Sequence, residues 1–541
     1  MVSRMLNGDQ AMAYGTLFAG VKFVAGYPGS PSSGTVEELL HLAQEHDIHV
    51  EWSTNEKVAA EMAIGASMAG RRALVCVKSV GMNVMVDPLM VLNLTPVNGG
   101  LVVLLGDDPG GYGSQNDQDT RPLASLVETP MMEPAGPAEA CDMIQEAFRI
   151  SERFHTAVII RETRSFTLQS EPVVMAEGPF GGPGLGLARE PWRFVPVPRN
   201  VVAKHRDLHE RLQVLSQWID NSPYNRTIGT GSKGIVGVGF AFRKLLDVLG
   251  NGTMNGIRLF KLSSLYPLPE DLISRFLADC EEILVLEENA PYVETRIKAM
   301  AHDLGCAAAI LGKQSGHIGL EGELFRRHIR EALSRFLPGQ GSIEISRNEN
   351  EADETPKRES NCGGCTYGEV LDILEDAAGS LNQRPILVGD PGCLVTIADR
   401  LDAKYAMGSA VGVADGIAKV GTNERAVALF GDSSFFHTAI PAVCNAAWNG
   451  SDILMVVLDN GSTAATGFQP NPGTGEDAMG RKAMVLRIEE IARACGVKRV
   501  YTVGPDDPDT VLKERFREAL SRRELTLIVV RTECEKPEPT K

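Results

Sequence analysis

Gly431-Asp432-Ser433 is followed, 28 residues after Asp432, by Leu458-Asp459-Asn460. Between them, Phe435 to Trp448 reads as a helix and Ile453 to Leu458 as a buried strand. A strand end, an acidic turn, a helix, a strand and then Asp-Asn puts Asp432 and Asn460 on adjacent strand ends of a parallel sheet. Two oxygen ligands there can hold a Mg²⁺, and the helix N-terminus after Asp432 can face a diphosphate. An ordinary strand–helix–strand turn with a capping Asp accounts for Asp432 alone. It leaves Asn460, at this distance and after a matching strand, without a reason.

The rest of the chain supplies room for such a sheet several times over. With 541 residues, 43% of them apolar, about three domains with sizeable cores are expected. The formal charge of −17 and the lack of a Lys/Arg block make nucleic acid and acidic membranes poor partners. Met1 to Met12 lacks the basic-then-apolar order of a signal peptide, and no apolar run is long enough to span a membrane. A cytoplasmic protein is expected. Ten cysteines in a chain of this length are no disulfide scaffold, so clustered ones point to metal ligation.

Three α/β blocks follow from the alternation of strand and helix patterns, which implies parallel sheets covered by helices on both faces. The first, 1–185, has strands at Phe23–Ala25, Val50–Trp52, Ala73–Val77 and Gly100–Gly106, and helices over Val36–Glu45 and Glu56–Gly70. A Gly/Pro-rich linker, Gly178 to Gly186, and a helix over Val202–Asp220 lead on, giving a connecting segment at 186–225. The second block, 226–345, has strands at Gly234–Gly239, Ile257–Leu262, Ile283–Glu287 and Ala307–Leu311. A charged linker, 346–360, precedes the third block, 361–541, which carries the Asp432/Asn460 motif. No Gly-x-x-x-x-Gly-Lys-Ser/Thr loop is present, which argues against an ATPase or kinase.

The Asp432/Asn460 layout resembles that of the thiamine diphosphate enzymes, whose usual form is Gly-Asp-Gly; here Ser433 replaces the last Gly. That chemistry needs a carboxyl group against N1′ of the aminopyrimidine, so that the ring can remove the C2 proton of the cofactor. In those enzymes the carboxylate comes from a different domain than the Mg²⁺ motif, and the cofactor lies between the two. Thr54-Asn55-Glu56 opens a helix directly after a strand of the first block. Asn55 as N-cap and Glu56 in the first turn are explained by helix capping and the helix dipole alone. Glu56 is also well placed for the cofactor, at a strand–helix junction of a doubly wound domain. Tyr27-Pro28-Gly29-Ser30-Pro31-Ser32-Ser33 and the long loop from Asp107 to Asp119 leave the sheet at the same edge, as ligand loops do and as plain turns also can.

Taken together, these stretches resemble the α subunits of indolepyruvate:ferredoxin oxidoreductases, within the 2-oxoacid:ferredoxin oxidoreductase family. The matching segments are spread over nearly the whole chain. They are Gly26 to Ser33, Glu51 to Ala59, Gly65 to Gly70, Asp107 to Gly110 with Ser114 to Asn116, Tyr266 to Pro269, Leu286 to Glu288, Gly431 to His437, Leu458 to Asn460 and Thr466 to Gly473. The resemblance implies three doubly wound α/β domains. A pyrimidine-binding domain (1–185) and a diphosphate- and Mg²⁺-binding domain (361–541) flank a transketolase C-terminal-like domain (226–345). It implies that Glu56 activates the cofactor and that Asp432, Asn460 and the carbonyl of Ser462 hold Mg²⁺. Gly431, Ser433 and Gly467 line the cofactor, Ser30 contacts substrate, and His437 approaches the substrate or only caps and packs. Related pyruvate enzymes carry an Arg for the substrate carboxylate after the fourth strand. Gly106-Asp107-Asp108 has none, so the carboxylate partner is unassigned.

Cys362 and Cys365 form a Cys-x₂-Cys pair, Cys393 follows after 27 intervening residues, and Cys534 follows the final strand, Leu527 to Val530. Four thiolates suit zinc or an iron–sulfur cluster, and spacing alone does not choose. The family resemblance implies a [4Fe–4S] cluster. The other six cysteines, at 76, 141, 280, 306, 444 and 495, lie in apolar patterns and are expected in cores. Relatives continue into a ferredoxin-like domain with two more cysteine runs, whereas this sequence stops at Lys541. The implied activity is oxidative decarboxylation of a 2-oxoacid, such as an aryl pyruvate, with coenzyme A as cosubstrate. Electrons would leave to a smaller β (γ-type) subunit, a ferredoxin or an iron–sulfur electron-transfer subunit, in an α₂β₂-like oligomer. Two other readings stay open: a non-oxidative thiamine diphosphate decarboxylase, and a non-catalytic subunit that keeps the fold.

Overall fold

A computed structural model describes residues 2–176, 180, 184–187, 189–250, 256–338, 362, 365–421 and 423–534. The charged linker expected at 346–360 lies outside the described residues, as does most of the Gly/Pro-rich stretch before it. The chain divides into two compact units, Met1–Lys357 and Arg358–Lys541.

The first unit contains a seven-stranded sheet. Its order is Ser264–Tyr266, Met131–Met132, Val158–Thr163, Leu101–Asp107, Ala73–Lys78, Phe23–Gly26 and His49–Trp52. The six strands from the first block run parallel. Leu101–Asp107 is buried at every position, as its continuous apolar run requires of a strand covered on both faces. Helices Ser33–His46, Glu56–Met68, Ser79–Leu92 and Pro137–Phe154 supply that cover. Glu56–Met68 starts where the sequence places it, with the Asn55 side chain accepting from the Val58 amide at 2.9 Å.

The seventh strand, Ser264–Tyr266, comes from the middle block and pairs antiparallel with Met131–Met132. The middle block has its own five-stranded sheet, ordered Ala309–Leu311, Glu282–Leu286, Lys233–Val238, Ile257–Leu262 and Arg226–Gly229. One apolar core runs through both, joining Val75, Val103 and Met131 to Phe260, Leu265 and Ile283. The first and middle blocks are therefore one folded unit. Helix Val201–Asp220 connects them, burying Leu208, Leu215 and Ile219.

The second unit is a six-stranded sheet, all parallel. Its order is Ala403–Lys404, Ile386–Gly389, Ala426–Gly431, Leu454–Asp459, Thr526–Arg531 and Arg499–Val503. Helix Thr366–Ser380 covers one face with Asp509–Ser521, and Ala410–Lys419 and Ile440–Trp448 cover the other. The helix read over Phe435 to Trp448 is broken: Phe435–Ala439 is wound as a π-helix, and Ile440–Trp448 continues as α-helix with Pro441 in its first turn. Such π segments are often found at functional sites. Among the described residues, no helix is long and apolar enough to cross a membrane.

Cys76, Cys141 and Cys280 are buried, as expected, but Cys444 is exposed and Cys306 and Cys495 are half-buried. Cys444 sits on the outer side of Ile440–Trp448, whose buried residues are Val443 and Ala446. Apolar neighbours in sequence do not put a cysteine in the core when the helix turns it outward.

Candidate functional site

In the second unit, four neighbouring strands deliver the expected residues to the carboxyl edge of one sheet. Ile386–Gly389 leads to Cys393, Ala426–Gly431 to Asp432, Leu454–Asp459 to Asn460 and Thr526–Arg531 to Cys534. The pairing of Gly431 with Leu458 in parallel register sets Asp432 and Asn460 side by side. In an open α/β sheet this edge is where ligands bind.

Asp432 is 3% exposed. Burial, and then the neighbouring Asp459 carboxylate, push it up to about 7, while a hydrogen bond from Asn471 Nδ2 at 2.8 Å draws it down. Asp459 has Arg531 at 3.6 Å, but among the described residues no cation faces Asp432. Asn460 Oδ1 accepts from the Ser462 amide at 3.3 Å, and the Ser462 hydroxyl is buried with no hydrogen-bond partner. Gly461, at φ 71°, and Gly467, at φ 131°, take left-handed backbone where this loop turns. His437 is buried in the π segment, its Nδ1 3.1 Å from Thr438 Oγ1. Ser433 is half-buried at the first helical turn.

Asp390, which has no assigned role in the sequence motifs, ties this edge together. It is fully buried and accepts from the Gly408 and Ala410 amides at 2.7 and 2.8 Å and from Ser434 Oγ at 2.8 Å. Burial raises it to about 6 against those hydrogen bonds. It thereby links the start of helix Ala410–Lys419 to the Asp432 turn.

The cysteines gather at the same edge. Cys365 immediately precedes helix Thr366–Ser380, and Cys393 opens the turn after Ile386–Gly389. Asn460 Nδ2 lies 4.0 Å from the Cys393 sulfur. Burial, and then the electrostatic influence of Cys534, Cys365, Asp432 and Cys362, push the Cys393 thiol up to about 11. The other three cysteines expected to ligate a metal are thus within electrostatic range of the Cys393 thiol. Tyr367, whose hydroxyl donates to the Leu458 carbonyl at 3.1 Å, is pushed well above its usual range by burial and by Asp432, Cys393 and Cys365.

The first unit has its own cluster at a carboxyl edge. Glu56 is buried at the start of its helix, against Gly81 of the next helix, where a Cβ would come within 2.6 Å of the Glu56 side chain. Ser30 is the exposed residue of an otherwise buried turn, held by Gly29 N donating to Ser33 Oγ at 2.7 Å. Lys78, at the end of Ala73–Lys78, lays its stem over Gly29 and donates from Nζ to the Gly113 carbonyl at 2.8 Å. Burial lowers its pKa, with Asp108 and Glu56 acting in the opposite direction. Asp108 in turn accepts from Gly113 N and Ser114 Oγ at 2.7 and 2.9 Å. Lys78 carries no motif; only its place at a strand's carboxyl end, one strand from the Tyr27–Ser33 turn, could have found it.

Comparisons with known proteins match a thiamine diphosphate-binding domain in each of the two units. Residues 14–177 match the model of the pyruvate flavodoxin/ferredoxin oxidoreductase thiamine diphosphate-binding domain, and 402–530 that of the thiamine pyrophosphate enzyme C-terminal TPP binding domain. The indolepyruvate oxidoreductase subunit IorA of Pyrococcus abyssi is 35% identical over 567 aligned residues, which take in 98% of this chain and 85% of that protein. The chain belongs to this family of indolepyruvate oxidoreductase subunits. The IorA subunit of Methanothermobacter marburgensis is likewise 35% identical, over 98% of this chain and 86% of its own. The 2-oxoglutarate synthase subunit KorA of Archaeoglobus fulgidus is 28% identical over 55% of this chain and 91% of its own. The family is one of oxidoreductase subunits, and the α/β fold with thiamine diphosphate-binding domains expected from the sequence is the one observed.

Proposed function

We propose that the chain is the thiamine diphosphate-binding subunit of a 2-oxoacid oxidoreductase. It decarboxylates an aryl pyruvate such as indolepyruvate oxidatively and forms an acyl-CoA. The observation that carries this reading is Asp432: a buried carboxylate, repelled by Asp459, beside Asn460 and an orphaned Ser462 hydroxyl, at a helix start. An acid in such a place fits a cation, and oxygen donors select a hard one. Asp432, Asn460 and the Ser462 carbonyl are the Mg²⁺ ligands. Gly431, Ser433 and Gly467 flank the diphosphate.

Bound thiamine diphosphate supplies a nucleophilic carbon and an electron sink for decarboxylation. Glu56 holds and returns the proton at the aminopyrimidine N1′, in the same chain or in a second copy of it. Its burial keeps water from competing for that proton. Lys78 is the cation for the substrate carboxylate in this reading, supported by its place beside the Ser30 turn, where the Gly113 carbonyl holds it. Ser30 contacts the substrate, and His437 lies along the helix from Asp432.

Cys362, Cys365, Cys393 and Cys534 hold a [4Fe–4S] cluster, which supplies one-electron transfer. The electrostatic reach of Cys362, Cys365 and Cys534 to the Cys393 thiol supports a site shared by the four, and the family resemblance favours a cluster over zinc. Electrons pass on to a smaller β subunit or to ferredoxin.

Iron and sulfide analysis with electron paramagnetic resonance on anaerobically purified chain tests this reading. Indolepyruvate should reduce a cluster in the isolated chain, and ferredoxin reduction should rise on adding the partner subunit. Zinc without iron would leave the non-oxidative decarboxylase as the reading to adopt.

A further inference from the structure

His205 and His209 project from helix Val201–Asp220 four residues apart, which places them one above the other on one face. Their rings are 4.3 Å apart between centroids and tilted by 50°. Both turn Nε2 to one carboxylate: His205 lies 2.7 Å from Glu128 Oε2, and His209 lies 2.8 Å from Glu128 Oε1. The ligand atoms of all three residues fall within 4.8 Å of one another. Among the described residues this is the one His/Cys/Asp/Glu group so arranged.

Glu128 is held there by its backbone. Its φ of 47° is left-handed, a conformation unfavourable for a residue with a Cβ. The residues on either side fix it. Val127 N donates to the Leu123 carbonyl at 2.9 Å, Thr129 N to the Ala124 carbonyl at 3.0 Å, and Asn93 Nδ2 to the Val127 carbonyl at 2.9 Å. Val127 and Thr129 are both buried. The turn is therefore locked in the shape that aims the carboxylate at the helix.

We propose that Glu128, His205 and His209 form a site for a divalent transition ion, Zn²⁺ by its donor set. Two imidazole nitrogens and one carboxylate suit Zn²⁺, whereas Mg²⁺ and Ca²⁺ require oxygen. Ligand bonds of about 2.0–2.2 Å put the donors of a tetrahedral ion roughly 3.3 Å apart. The nitrogen–oxygen contacts, at 2.7 and 2.8 Å, need to open by about half an ångström. The His side chains are 47% and 57% exposed, so the fourth position is open to water and the ion has an entry path. Each imidazole ligates through Nε2 in its Nδ1–H tautomer, so the ion takes the place of the hydrogen between ring and carboxylate and the ring keeps its proton on Nδ1. It ties the helix that connects the two sheets to the turn before Met131–Met132, the strand that pairs with Ser264–Tyr266. This site is separate from the thiamine reading and does not depend on it.

The test is Co²⁺ binding to the full-length chain, by equilibrium dialysis and visible absorption, in the wild type and in H205A/H209A. The wild type should bind one equivalent more than the variant. That equivalent should show d–d bands without thiolate charge transfer, and Zn²⁺ should displace it and raise the melting temperature of the wild type alone. Glu128→Gln keeps both imidazoles and the fold, and should weaken binding by about tenfold or more. Equal equivalents and affinities in wild type and variants overturn the proposal. So does a lost equivalent that carries thiolate charge-transfer bands.

Discussion

Asp119 and Asp432 are both withdrawn from solvent, and their acidities move in opposite directions. Burial raises Asp119, but the charge and hydrogen bonds of Arg121 outweigh it and bring it down to about 2. Asp432 meets burial and a second carboxylate, and is pushed up to about 7. Asp119 belongs to a lattice within the first unit. Arg121 bonds Asp119 and Glu287 at 2.7 and 2.6 Å, and Arg161 bonds Asp107 and Glu133 at 2.7 and 2.5 Å. Lys244 bonds Glu288 and Glu323 at 2.9 and 3.1 Å. Every one of these acids has a cation inside the fold, and the lattice joins the first block to the middle one. Asp432 has none. The lattice acids are neutralised by the chain itself, as structural groups are, whereas Asp432, at a sheet's carboxyl edge beside Asn460, is the one for which we propose a ligand.

Arg121→Met is the harshest test of that contrast. It strands Asp119 and Glu287 without their cation, and urea denaturation should show the first unit weakened by about 3–5 kcal/mol. Asp432→Asn should lose no stability in the metal-free protein, since it removes an uncompensated charge. A large loss there, or none for Arg121→Met, would erase the distinction.

Gly81→Ala tests whether the placement of Glu56 matters. The new Cβ must displace the Glu56 side chain, and C2 deuterium exchange of bound thiamine diphosphate should slow by about a hundredfold, the scale of an ångström's misplacement. Glu56→Gln should slow it as much or more while leaving cofactor binding in place. A wild-type exchange rate in both would make Glu56 a helix-start residue only. Lys78→Met should raise KM for the 2-oxoacid by about 10- to 100-fold, the value of a charge-assisted hydrogen bond, with kcat changed less. An unchanged KM would return the substrate carboxylate to the unassigned.

The smallest effect is expected at Glu162. Both its oxygens are buried without hydrogen-bond partners, and burial and Asp9 hold its pKa well above the usual range. The folded chain therefore binds a proton that the unfolded chain releases above about pH 4.3, and this contribution to stability falls as pH rises toward the folded pKa. Glu162→Gln should flatten that fall above about pH 4.3, the unfolded-state value, in thermal melts. A parallel pH dependence in variant and wild type would show Glu162 ionised in the fold.

The strands and helices around Asp432 and Asn460 were legible because their patterns are local: a buried run, a helix, a second buried run. Register then does the rest, since parallel neighbours must end together. The four cysteines could be chosen for the same reason, each standing at the end or start of a readable element. Arg121 and Arg161 could not. Their partners lie as far away as Glu287 and Asn289, and no local period records such a pairing. Lys78 is a single residue after a strand, and its meaning comes from the Gly29 turn crossing over it. Cys444 was misread because helix orientation, not sequence neighbourhood, sets exposure. The π winding at Phe435–Ala439 has no distinct sequence period.

The central claim is that the unneutralised edge at Asp432 takes Mg²⁺ and a diphosphate. Titration calorimetry of thiamine diphosphate with Mg²⁺ into wild type and Asp432→Ala tests it most directly. The wild type should bind only when Mg²⁺ is present, and Asp432→Ala should show no binding at all. Unchanged affinity in Asp432→Ala would contradict the account.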